Sequence, residues 1–312
     1  MKIIIYILLI IVPNFLFAQN YLDYYQGINN GKTSALNNNV EESMNSYFST
    51  FEKFEFVFAR DCYNAIELAV FNNDSLKADY FIKRGIKQGL KLNQILKIKN
   101  ISKFQNSSFL NKISNEKDSL ENFYTSSINW KLRNEIIKMF QDDQAIREKY
   151  YKAILFKRMR IGRKWEELNK EQVERLIEIT KNYGFPGEKL IGIDTEKMHP
   201  KALNAKISAG MPILILIHHY SKPNKSYDSL LFEQIKTGNL YNEHFATICD
   251  FEAKFGKNKY ETYGSFAFKH FPKIIDENEI NSKRKEISLL SISEYKNLNS
   301  VKSITRFWNH LF

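Results

Sequence analysis

The stretch Asp61–Gly89, "DCYNAIELAVFNNDSLKADYFIKRGIKQG", decides the fold class. Cys62, Ala65, Ile66, Ala69 and Val70 recur at helical spacing and form one apolar stripe. Ala78, Phe81, Ile82 and Ile86 continue it on a second helix. Asp61 is placed to cap the first helix, Asp74 or Ser75 the second, and Gly89 to end it. "NND" turns the chain between them. The small residues Ala65, Ala69 and Ala78 let two helices approach closely.

This hairpin resembles a tetratricopeptide repeat, with Tyr63-Asn64-Ala65 and Ala78 at fitting offsets. It departs from the repeat by carrying Ile66 at the usual Gly and by lacking the late Pro. An earlier pair, near Tyr21–Lys32 and Val40–Phe51, fits more loosely. Such hairpins would offer a concave surface to a protein partner. The Ser/Asn-rich stretch from Ser102 to Trp130 reads as a polar connector with short helical pieces.

From Leu132 a long helix is expected to run to about Met159, with Gly162 interrupting it. "LNKEQVERLIEITKNYGFPG" then supplies punctuation for a new helix. Asn169 is placed as N-cap, Gln172 fills the capping-box position, and Leu168 and Val173 form a staple. Gly184 is the stop, and Pro186 and Gly187 turn the chain. "GMPILILIHHY" fits either a buried helix, with Pro212 in its first turn, or a buried strand. Two further helices come after it, stopped by Gly238 and Gly256, the second capped by Asn242. The expected fold is mainly α: tetratricopeptide-like hairpins over 19–100, a connector over 101–130, and a compact, mostly helical C-terminal domain over 131–312.

Residues 1–18 read as a secretory signal peptide. Lys2 is basic, Ile3–Val12 is an apolar run too short to span a bilayer comfortably, and Ala18 precedes Gln19 at a cleavage boundary. The chain is expected to be exported, periplasmic or extracellular, with no transmembrane segment in its mature form. Its formal charge of +11 becomes +10 on losing Lys2 (11 − 1). That charge is spread rather than clustered, and export argues against nucleic acid as a partner, whereas anionic envelope polymers or lipid head groups suit it. The two cysteines, Cys62 and Cys249, have no metal-binding or redox spacing, so neither a metal nor a cofactor is expected.

"MFQDDQAIREKYY", Met139–Tyr151, puts polar groups on a core-facing helix stripe. Ile136, Phe140, Tyr150 and Ile154 fall on the side of Asp143, and Arg147 lies one turn on. An acid and a guanidinium there must pair or meet a ligand, and both are expected to be largely buried. Gln144 flanks them. His218 and His219 end the most apolar run, and one of them should face inward. Asp250 lies on the small-residue side of its helix with Ala246 and Ala253.

"DDQAIRE", "NYGFPGEKLIG", "ILILIHHY", "TICDFEAKFGK", "ETYGS" and "IIDENEINSKRKEISL" occur in this order. Together they resemble a bacterial domain family of unknown function, over roughly residues 130–298. Its pattern is D-Q-x-x-R, then Y-G-x-P with a following Gly, a His segment, a late-helix Asp and a G-K…Y-G-[TS] loop. By this resemblance Asp143, Gln144, Arg147, Gly184, Pro186, Gly192, His219, Asp250, Lys257, Tyr263 and Gly264 match. The chain departs from the pattern in the loop, where the Gln before Tyr263 is missing, and at Phe251, where Arg is usual. The resemblance implies a site but no chemistry.

Two functions are expected on these grounds. The first is an exported protein that binds a ligand in a polar cleft, with Gln144, Arg147, Lys257 and Tyr263 as ligand-binding groups. The second is a hydrolase or transferase on an envelope substrate, with His219, Asp143 and Asp250 as the acid-base set. No nucleophile motif, phosphate loop or dinucleotide fingerprint is present.

Overall fold

The structure, a computed structural model, describes residues 19–104, 108–194, 207–220, 225–255, 260–266 and 276–305. The expected signal peptide lies outside them. Every regular element among the described residues is a helix.

The chain opens with two packed helical hairpins. The first joins α1 (Tyr21–Leu36) to α2 (Val40–Lys53), the second α3 (Ala59–Phe71) to α4 (Ser75–Lys87). Asn20, Asn39 and Asp74 cap α1, α2 and α4 by accepting a backbone N–H of the first turn. Asn38 and Asn73 take left-handed backbone in the turns, which Asn tolerates. Asp61 is not the cap of α3. Phe58 holds that position, and Asp61 sits inside the first turn, fully buried.

Next come α5 (Leu92–Ile95), a short 3-10 turn (Ile101–Phe104) and α6 (Ser108–Ser127). Residues expected to form a connector thus carry a long helix. Its Leu110, Ile113 and Leu120 are buried, because α6 lies against α4.

The helix α7 (Trp130–Lys152) is succeeded by α8 (Leu155–Tyr183). The helix expected to run on to Met159 ends at Lys152, and Gly162 does not interrupt α8. The break falls at Ala153 and Ile154, both extended, because α8 must fold back antiparallel on α7. Three ties fix that register: Glu135 with Arg175, Met139 carbonyl with Gln172, and Asp143 with Trp165. Asn169 is therefore no N-cap. It lies mid-helix and donates to the Ile215 carbonyl, while Gln172 is used across the helix pair. A lone Gly costs a helix about 1 kcal/mol, which its neighbours outweigh. At Gly162 an added Cβ would sit 3.3 Å from the Tyr150 ring, so the small residue admits that ring.

Gly184, at φ +88, ends α8 as expected. The remaining elements are α9 (Glu188–Ile191), α10 (Met211–His219), α11 (Asp228–Lys236), α12 (Asn242–Phe255), α13 (Glu277–Glu286), α14 (Ile292–Asn297) and a 3-10 turn (Leu298–Val301). The apolar run is thus a helix, with Met211–Ile217 buried between α7, α8 and α12, while the His218 side chain lies outside what the structure describes.

A single core runs from Tyr21 to Val301. It joins the front hairpins to the later helices through side-chain bonds. Tyr25 donates to the Leu240 carbonyl at 2.9 Å, Asn29 to the Ser288 carbonyl at 2.7 Å, and Thr305 to Glu67 at 2.6 Å. Both cysteines are free thiols, Cys62 buried and Cys249 partly so. No helix among the described residues is long and apolar enough to cross a membrane.

Candidate functional site

Of the groups singled out in the sequence, Asp143, Gln144 and Arg147 share one place and Asp250 and Tyr263 a second, while His219 stands against Tyr220 and Tyr227. The first is the clasp between α7 and α8. Asp143 is buried, and its carboxylate accepts from the Trp165 indole at 2.8 Å and from Gln144 at 2.9 Å. Arg147 is half-buried rather than largely buried. Its guanidinium stands over the Tyr151 ring, 5.9 Å from the centroid. The physical reason is that the apolar stripe does not stay in the core: Ile154 is 80% exposed, so the helix leaves the protein body just beyond Asp143.

Past the clasp, aromatic rings and cations alternate. Tyr150 lies 5.4 Å from both Tyr151 and Trp165, and Arg158 stands over Tyr150 at 5.7 Å. Such cation–π stacking leaves guanidinium donors available to an anion. His219 ends α10, which packs across both α7 and α8. Its ring meets Tyr220 and Tyr227 at 5.8 and 5.6 Å, and burial lowers its pKa, so the imidazole is neutral near pH 7.

The second place is the loop 262–265. Asp250 is buried, and its two carboxylate oxygens accept N–H bonds from Thr262, Tyr263 and Ser265 at 2.7–3.1 Å. Tyr263 packs its ring on Phe245 and offers its carbonyl to Arg284 at 2.7 Å. Gly264 has φ +67, and an added Cβ would lie 2.7 Å from Ile292. This constellation holds a loop: every oxygen of Asp250 is engaged by backbone. Lys257 lies outside the described residues.

Sequence reasoning missed a third constellation, buried between the hairpins and α12. Glu243 lies 3.5 Å from Lys32 and 3.5 Å from Arg60, all three side chains at most 8% exposed. Arg60 also stacks 4.2 Å from the Tyr241 centroid. Asp61 accepts from the Tyr24 hydroxyl at 2.9 Å and the Tyr241 hydroxyl at 3.2 Å. Burial raises the Asp61 pKa, partly offset by Lys32 and Arg60.

Glu188 borders this network and accepts the Ala59 N–H at 3.0 Å. Burial pushes its carboxyl up to about 8, from a usual 4.5. The folded chain keeps that proton where the unfolded chain has lost it. The resulting stability is full below pH 4.5 and is lost as pH rises through about 8. Burial drives the His244 imidazole the other way, down to about 3 from 6.5. Its contribution is present above pH 6.5 and is lost as pH falls toward 3. Between pH 4.5 and 6.5 the two slopes oppose each other. Thermal stability is therefore expected to peak in that window. Glu188→Gln should flatten the alkaline side and melt above the parent near pH 8, and an unchanged alkaline decline would contradict this account.

Set beside known protein families, curated proteins and solved structures, the chain matches none.

Proposed function

We propose that this is an exported binding protein that engages an anionic ligand through the α7–α8 arm. One observation carries the reading. Arg147 and Arg158 are stacked over Tyr151 and Tyr150 beside Trp165, outside the core and above a buried Asp143 that fixes the indole. Each guanidinium lies over a ring, and Arg158 also donates to the Tyr151 carbonyl at 3.3 Å, so less freedom is lost when the remaining donors bind an anion. The front hairpins, read as tetratricopeptide-like, would serve a protein partner.

The supporting test is binding of dextran sulfate, monitored by Trp fluorescence. Arg147→Ala with Arg158→Ala is expected to weaken binding by about tenfold or more, given roughly 1 kcal/mol for each stacked cation. The melting temperature should hold, since both side chains are at least partly exposed. A double variant that binds like the parent would remove this reading.

The second reading is a hydrolase or transferase with His219 as general base. It is favoured by the neutral state of that imidazole, and it would need turnover that His219→Gln abolishes.

A further inference from the structure

The turn between α7 and α8 carries an apolar cap that the fold does not use. Tyr151 is 61% exposed, Ile154 and Leu155 80%, Phe156 86% and Met159 62%. No residue of α7 after Asp143 is buried, and none of α8 before Gln172. At 1.5 Å per residue, the turn stands about 15 Å beyond the Asp143–Trp165 clasp. These five side chains therefore lie at the convex end of an arm.

Charge near that end is mostly positive, with Lys152 paired to Glu148 on the α7 side. Residues 149–164 contain seven Lys or Arg and no Asp or Glu. Lys157 and Arg158 sit in the first turn of α8, where the helix dipole disfavours cations. Leu155 takes φ +26, a conformation that a branched side chain rarely adopts. Neither feature serves stability, and apolar exposure on this scale marks an interaction surface.

We infer that this tip inserts into the interface of an anionic phospholipid membrane. The inference rests on the anionic-ligand reading above and names the ligand as a bilayer surface. A convex apolar end ringed by long cations fits a lipid interface. Ile154, Leu155 and Phe156 enter the acyl boundary, while Lys157, Arg160 and Arg163 reach the phosphates on their flexible stems. Tyr150, Tyr151 and Trp165 then lie at head-group level, the depth that amphipathic aromatic rings prefer. The attraction of several Lys and Arg to such a surface adds up, and it needs negative head groups, so anionic lipid is required. A second copy of the chain is disfavoured as occupant, because two such basic ends repel.

The test is sedimentation of the chain from Gln19 with vesicles of phosphatidylglycerol and, separately, of phosphatidylcholine. Among the described residues none of the core precedes Tyr21, so this form keeps every described core residue, and it omits the apolar run at Ile3–Val12. Dextran sulfate binding is measured in parallel. The expected result is binding to phosphatidylglycerol and not to phosphatidylcholine. Leu155→Ser with Phe156→Ser should lose vesicle binding on the order of tenfold or more, with an unchanged melt and unchanged dextran sulfate binding. If the parent binds dextran sulfate but no vesicle, the membrane inference is overturned and the anionic-ligand reading stands. If it binds neither, both fall. If the double variant binds vesicles as well as the parent does, insertion is overturned. A concentration-dependent dimer that the variant abolishes would assign the tip to a second copy and overturn it equally.

Discussion

Glu243→Gln is expected to lower folding stability by about 3–5 kcal/mol, the scale on which breaking a buried ion pair destabilises. The change keeps shape and removes only charge. Lys32 on α1 and Arg60 on α3 would then be buried, each having lost the carboxylate 3.5 Å away. The effect is not that of a surface pair, worth about 0–1 kcal/mol, because neither cation can turn to water. Urea unfolding at neutral pH measures it, and a loss under about 1 kcal/mol would place the three groups in solvent. Replacing Lys32, Arg60 and Glu243 together by Met should recover much of the loss, because desolvation of the charges disappears with them.

Asp250→Ala is expected to cost about 3–5 kcal/mol, the exceptional range reached when a buried hydrogen-bond network is broken. It removes the acceptor for the N–H groups of Thr262, Tyr263 and Ser265. Each bond to a charged group contributes roughly 1.5–3 kcal/mol, and a donor left buried adds its own desolvation cost. Asp250→Asn retains one carbonyl oxygen and should lose about half as much. Amide exchange at residues 262–265 provides the local readout. Fast exchange in the Ala variant is expected, and protection equal to the parent's would mean that the carboxylate does not organise this loop.

The helical fold was legible because Asp61–Gly89 repeats its apolar residues at helical spacing and Asp74 and Gly89 punctuate it. Helix ends elsewhere were less legible. Asn169 and Gln172 form a plausible capping box, yet they serve contacts to Ile215 and Met139 that no local pattern reveals. Asp143 was readable as a polar group inside an apolar stripe. Its partner, Trp165, was not, because it lies 22 residues away on a helix whose register depends on a turn at Ala153.

The buried network had one sequence signal. Tyr21, Tyr25, Ile28 and Ala35 mark a core stripe on α1, and Lys32 falls within it. Arg60 and Asp61 gave none. Adjacent residues cannot share one helix face, and both are buried only because α3 is surrounded on nearly all sides. The apolar tip was hidden by its own resemblance to core. Tyr150 and Ile154 continue the stripe of α7 by spacing, and the departure of the arm from the body leaves Tyr150 half-buried and Ile154 exposed.

The most direct measurement is depth. Phe156→Trp, with the parent's own tryptophans as background, is titrated with phosphatidylglycerol vesicles whose acyl chains carry bromine. The added indole is expected to shift to the blue and to be quenched by the brominated chains, and the signal to vanish when Lys157, Arg160 and Arg163 are changed to Ala. Vesicle binding that leaves the added indole unshifted and unquenched would mean that the arm touches phosphates without entering the membrane, and would contradict insertion.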